Sequence, residues 1–241
     1  MKTLYVAWQD PTDRRWIPVG RLNFNGNVYR FVYTKGAKQS PSFVPFGRMR
    51  QLDTVYESKE LFPLFANRLL SKTRPEYKDF LHWLNLQEHE ADPFALLART
   101  EGMRATDSLM VFPCPEKGND ETYHTQFFSH GIRYLPPPVI ALIDDLSPHT
   151  RLFLMPDPQN PHDPHAIALR TAEPAVLVGY CPRYTTADLH HLLQEVSETV
   201  QVTVERVNHD APLQLRLLCS ISADWPDNFQ PCSSELFEAL A

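Results

Sequence analysis

The chain has 241 residues, a mass of 27.8 kDa and 43% hydrophobic residues, which is enough apolar material for two cores. A formal net charge of -6 and a pI of about 5.9 exclude indiscriminate phosphate-backbone binding by the chain taken as a whole. No run approaches the roughly 20 apolar residues of a membrane span.

The first ten residues, M-K-T-L-Y-V-A-W-Q-D, lack the apolar run of a secretory signal, so the expected location is the cytoplasm. Cys114, Cys181, Cys219 and Cys232 form no C-x-x-C pair and read as reduced thiols. Charge is distributed unevenly. Residues 1–75 carry 13 Lys+Arg and 5 Asp+Glu, a balance of +8. Residues 76–123 carry 4 and 10 (-6), and residues 124–225 carry 6 and 11 (-5) together with 8 of the 10 histidines. Generic attraction to a phosphate backbone therefore belongs to the first third.

In chain order, residues 4–8, 16–24 and 28–33 are rich in aromatic and β-branched residues and read as strands, with Asn25-Gly26 as a hairpin turn between the last two. Ser58 is a candidate cap for a helix over E-L-F-P-L-F-A-N-R-L-L, with Pro63 in its first turn. After Pro75, the residues Tyr77, Phe80, Leu81 and Leu84 recur at helical spacing, and Asp92-Pro93 opens another short helix. Residues 109–113 read as a strand. The polar stretch 113–122 reads as a linker.

Beyond it, strands are expected at 151–155, 165–170, 175–180, 200–207 and 213–221, with one helix at 185–194 and a short one in the tail. The fold class implied is an α+β amino-terminal lobe followed by a small, mostly antiparallel β-barrel with one helix. The domains are expected at 1–115 and 124–225, with a tail at 226–241.

Between two apolar strands lies M-P-D-P-Q-N-P-H-D-P-H-A-I-A, Met155 to Ala168. Proline fixes φ, and Asn and Asp close turns with their own side chains. A rigid solvated connection explains this composition. So does a preorganised polar claw that loses little entropy when a ligand arrives. His162, Asp163 and His165, with Asp157, also offer a metal reading, but the spacing is interrupted by proline and lacks a nearby cysteine. No cofactor is called for. The chain lacks a Walker A motif, a nucleophile elbow and H-E-x-x-H, so it reads as a binding protein rather than an enzyme.

With G-I-R-Y (131–134) and V-G-Y-C-P-R-Y (178–184), this loop resembles the HIRAN domain, from about His130 to Ile221. The resemblance implies an OB-like barrel that grips the 3′ end of single-stranded DNA. By position, it implies nucleic-acid contacts from Arg133, Tyr134, Asn160, His162, Asp163, Tyr180 and Arg183. Three features depart from the family pattern: Leu135 stands where many members have a second aromatic, Tyr180 where a basic or imidazole group is used, and the stretch 136–150 is longer than usual.

The chemistry of these residues is consistent with that role. A tyrosine face stacks on any unpaired base. Arginine forks onto phosphate oxygens. A carboxylate repels phosphate but accepts a hydrogen bond from a hydroxyl, which favours a free 3′-OH. Ordinary structural roles remain open for each: Tyr134 as half-buried core, Arg183 as a solvated strand end, Asp163 as a turn-former.

The first half has a separate resemblance. V-G-R-L-N-F-N-G-N-V-Y-R-F-V-Y, S-K-E-L-F-P-L-F-A-N-R-L-L, D-P-F-A-L-L-A-R-T-E-G and L-M-V-F-P resemble the amino-terminal subdomain of HipA-type toxin kinases, across about residues 4 to 113. That subdomain is not catalytic. It implies a bacterial adaptor whose partner is a HipA-like kinase or a DNA-binding antitoxin. Two other functions stay open: a toxin–antitoxin component without DNA binding, and a metal-dependent nuclease.

Overall fold

The computed structural model describes residues 2–104 and 106–241, so Met1 and Ala105 lie outside the described residues. The chain divides into two compact units. One is Met1–Lys78, Gln87–Cys114 and Gln230–Ala241; the other is Asp79–Leu86 and Pro115–Phe229. The division at residues 115 and 226 expected from sequence therefore needs two adjustments. Residues 79–86 belong with the second unit, and 230–241 with the first.

The first unit is built on strands β1 (Lys2–Gln9), β2 (Trp16–Phe24), β3 (Tyr29–Tyr33), β4 (Tyr56–Ser58) and β5 (Leu109–Pro113). They form one antiparallel sheet in the order β4-β3-β2-β1-β5. The β2–β3 turn forms as Asn25 Oδ1 accepts from the backbone N–H groups of Asn27 and Val28, with Gly26 at φ +100.

Three short helices follow: α1 (Pro63–Ala66), α2 (Tyr77–Trp83) and α3 (Pro93–Thr100). Asp92 caps α3 through Phe94 N–H at 2.8 Å and Ala95 N–H at 3.2 Å. Ser58 does not cap α1. It lies in β4 and accepts from Glu60 N–H, while α1 starts at Pro63 after Phe62. The core is rich in aromatic rings, with Phe31, Tyr33 and Phe65 fully buried and the Phe31 ring against both of the others. The tail makes a single 3-10 turn, Glu235–Phe237, whose ring packs edge-on against Tyr5.

The second unit contains β6 (Thr122–Phe128), α4 (Pro137–Asp144), β7 (Arg151–Pro156), β8 (Ile167–Arg170), β9 (Leu177–Tyr180), α5 (Arg183–Glu195), β10 (Gln201–Val207) and β11 (Leu217–Asp224). The strands form a curled antiparallel sheet in the order β6-β11-β10-β7-β8-β9. Its two ends meet: just beyond β6, His130 bridges Tyr180 on β9, with N–H···O bonds of 2.9 Å in each direction.

The core is largely aliphatic, with Leu152, Ile167, Leu169, Val178, Leu189, Val202, Val204 and Ile221 all 2% exposed or less. Helix α4 occupies the stretch that looked long in sequence. Its first turn is Pro137-Pro138, where no N–H is needed, and Ile143 is buried. Among the described residues, no helix is long and apolar enough to cross a membrane.

Candidate nucleic-acid interface

The seam where the sheet closes positions the candidate residues. Gly179 has φ +127, and a Cβ there would fall on Ser129 Oγ and 2.6 Å from the His130 carbonyl oxygen. Only glycine lets the two edges approach this closely. Ser129 Oγ donates to the Val178 carbonyl across the same seam at 3.0 Å. The chain then turns at Gly131, φ +82, into a 3-10 turn over Ile132–Tyr134. Ile132 is buried, which drives the next two side chains outward.

Tyr134 is 75% exposed, so of the two roles left open for it, the half-buried core role does not hold. The Arg133 guanidinium carbon lies 4.6 Å from the Tyr134 ring centroid, and Arg133 Nη2 donates to the Tyr134 hydroxyl. An exposed aromatic ring carrying a cation on one face leaves the other face for a planar group.

The proline-rich loop between β7 and β8 is held by its own side chains. Its base closes where Asp157 N–H donates to the Ala166 carbonyl at 2.8 Å. Asn160 Oδ1 accepts from His162 N–H, and Asp163 Oδ1 accepts from His165 N–H, each at 3.0 Å. Two successive Asx turns thus account for Asn160 and Asp163 as turn-formers.

The loop is also tied to the rest of the unit. Tyr180 Oη donates to Asp157 Oδ2 at 3.0 Å, and Asn160 Nδ2 donates to the same oxygen at 3.2 Å. Burial first, and then the adjacent Asp157 carboxylate, raise the Tyr180 hydroxyl above its ordinary value, so it remains a donor.

The second oxygen of Asp163 faces Arg183, the first residue of α5. Arg183 Nε lies 3.5 Å from Asp163 Oδ2, and Arg183 Nη2 donates to the His162 carbonyl at 3.0 Å. Among the described residues, Nη1 of Arg183 makes no hydrogen bond. A guanidinium fixed at two corners with its third edge unclaimed is preorganised for an oxyanion. It is the His162 carbonyl that holds Arg183, while the His162 ring is exposed at the loop.

The predicted residues therefore fall into three groups: Arg133 with Tyr134; Asn160 with Tyr180 through Asp157; His162 and Asp163 with Arg183. Gly131 links the first group to the second, because a Cβ on it would lie 3.6 Å from the Tyr180 ring. Among the described residues, no hydrogen bond or ion pair joins Arg133 or Tyr134 to Asp163 or Arg183.

Sequence reasoning considered Asp157 only as a metal ligand; here it anchors the loop to β9. Leu135 packs against the core. Among the described residues, no three His, Cys, Asp or Glu side chains are grouped to hold a metal ion. Further along α5, burial pushes the Asp188 carboxyl up to about 7.

Residues 122–225 match the HIRAN domain model. The matched segment starts at the first residue of β6 and ends just past β11. Two solved structures are similar to this chain: the HIRAN domain of human HLTF, at 14% identity and TM-score 0.32 over 44% of this chain and 81% of that one, and a Lactobacillus plantarum protein, at 17% identity and TM-score 0.32 over 42% of this chain and 98% of that one. A search of curated proteins found no match.

Proposed function

We propose that the HIRAN segment binds the 3′-OH end of single-stranded or frayed DNA. The observation that carries this reading is the Asp163–Arg183 pair: an anion and a cation fixed side by side at 3.5 Å on a braced loop. Nη1 of Arg183 takes a phosphate oxygen of the last linkage, and Asp163 accepts a hydrogen bond from the terminal hydroxyl. A 3′-phosphate, or a continuing strand, brings negative charge against the carboxylate.

Tyr134 stacks on an unpaired base, and Arg133, already lying on that ring, adds positive charge near the backbone. In this reading Asn160 and Tyr180 act by holding the loop through Asp157, and His162 contributes its carbonyl to Arg183 and its exposed ring to the rim. The HIRAN match supports a DNA-binding role.

For the first unit, the resemblance to the HipA amino-terminal subdomain supports a lobe that recruits or restrains a partner protein, a HipA-like kinase or an antitoxin. The chain then works as a cytoplasmic adaptor and leaves catalysis to its partner. Of the basic residues in 1–75, Lys2, Arg15, Lys35, Arg68 and Arg74 are engaged in ion pairs, while Arg48 and Arg50 flank buried Met49 and are exposed.

Titration of fluorescent single-stranded DNA against Arg183→Ala tests the reading of the site. Loss of binding with the fold retained is expected. Unchanged affinity would remove Arg183, and with it the end-recognition role of Asp163.

A further inference from the structure

We propose that the outer face of β7 and β8 is a second nucleotide-binding surface, along which the strand runs once its end is held at Asp163 and Arg183. The inference rests on the end-binding reading and extends it to where the rest of the strand lies.

Three observations place the surface. Along β7, Leu152 and Leu154 pack in the core, so Arg151, Phe153 and Met155 face the other way. Phe153 pairs in register with Arg170 on β8, and the guanidinium carbons of Arg151 and Arg170 lie 5.2 and 4.9 Å from its ring centroid. Met155 is 44% exposed, and its row crosses Ala168 on β8 to Tyr180 on β9, the residue that pins the loop through Asp157. Directly opposed residues share a face. The Phe153 row is two residues along β7 from the Met155 row, about 6.7 Å. Ala168 itself is covered, so the exposed part of this face is the Arg151, Phe153, Met155 and Arg170 side chains, one row from the row that ends at Tyr180.

Its charge points to the occupant. The segment 124–225 has six basic residues, all arginines, and eleven acids. Arg206 is engaged by His82 and Asn85, and Arg216 by Asp144 at 2.8 Å. Arg133 and Arg183 belong to the end site. The other two both flank a single aromatic ring on one face. Placing the two remaining cations of an acidic domain around a half-exposed ring fits a polyanion with flat bases, which is unpaired nucleic acid. The guanidinium planes gathered on Phe153 offer flat groups for bases and N–H donors for phosphates.

The test uses the full chain with 3′-OH oligothymidylates of three and twelve nucleotides, at several salt concentrations. The variants are Phe153→Ala and the double variant Arg151→Gln/Arg170→Gln, with circular dichroism to confirm folding. The trimer is expected to bind wild type and variants alike. The twelve-mer is expected to bind the variants about tenfold more weakly, and the double variant to lower the slope of log affinity against log salt by about 1.4, at roughly 0.7 for each phosphate no longer neutralised. Twelve-mer affinity and salt slope equal to wild type would overturn the second surface while leaving the end site intact. Trimer binding that is absent in wild type, or indifferent to Arg183→Ala, would instead overturn the end site. In that case, twelve-mer binding still about tenfold weaker in the double variant would support a surface that acts without it.

Discussion

The two sheets of this protein use their aromatic residues in opposite ways. In the first unit the rings of Phe31, Tyr33 and Phe65 are fully buried, and Phe31 packs on the other two at centroid separations of 5.0 and 5.9 Å. In the second, the core is mostly aliphatic, and Tyr134 and Phe153 lie outside it, each with a guanidinium over its ring. The first arrangement gains stability from area removed from water. The second leaves Tyr134 exposed and Phe153 partly so, with positive charge beside each, which contributes little to folding and suits the proposed flat, anionic ligand. A ring's neighbours, more than its identity, decide whether it is packing or recognition.

Substitution can break this contrast. Phe65→Ala in the first unit is expected to cost about 3–5 kcal/mol of stability in urea denaturation, as a fully buried ring should, whereas Phe153→Ala should cost less than about 1 kcal/mol. Similar costs for the two would erase the distinction. Tyr134→Ala should leave stability within about 0.5 kcal/mol but weaken single-stranded DNA binding by about 1–3 kcal/mol, measured by anisotropy. A loss of stability matching the loss of affinity would make Tyr134 a packing residue. Gly179→Ala tests the seam: with φ at +127 and the Ser129 side chain and His130 carbonyl in the way, the methyl should destabilise the second unit by more than about 1 kcal/mol.

The second unit also carries a pH dependence. Asp188 is raised by burial to about 7, so its folded form holds a proton that the unfolded form releases near the ordinary carboxylate value. Its contribution is therefore present in acid and falls as pH rises towards and through 7. Asp188→Asn should flatten that fall between about pH 4 and 7 in thermal melts. A curve as steep as wild type would rule out Asp188 as its source.

Much of this was legible in the sequence, for local reasons. The Asn25-Gly26 turn and the Asp92 cap act within three residues, so their chemistry is written where they act. The proline loop was legible as rigid and turn-forming, and as part of a HIRAN resemblance that the domain match supports. Strand β4, strand β6 and helix α4 were hidden. Strand β6 alternates Tyr123, Thr125 and Phe127 on one side, but it follows directly on a polar stretch that reads as linker. Helix α4 begins with prolines, which read as a breaker until they are seen to occupy its first turn.

The partners of the site residues were not legible, because they come from distant positions: Asp157 meets Tyr180 across 23 residues, and Arg183 meets the loop across a strand, a turn and a second strand. Nor could spacing alone tell that Asp163 serves both a turn and Arg183, so its two candidate roles coexist instead of competing.

The central claim is that a carboxylate beside an arginine reads where a DNA strand stops. Anisotropy titrations with one oligonucleotide sequence ending in either a 3′-OH or a 3′-phosphate address it directly, for wild type and Asp163→Asn. The account expects wild type to favour the hydroxyl end by about tenfold, roughly 1.4 kcal/mol, and Asp163→Asn to lose most of that preference. Equal wild-type affinity for the two ends, or a preference that survives Asp163→Asn unchanged, would contradict it.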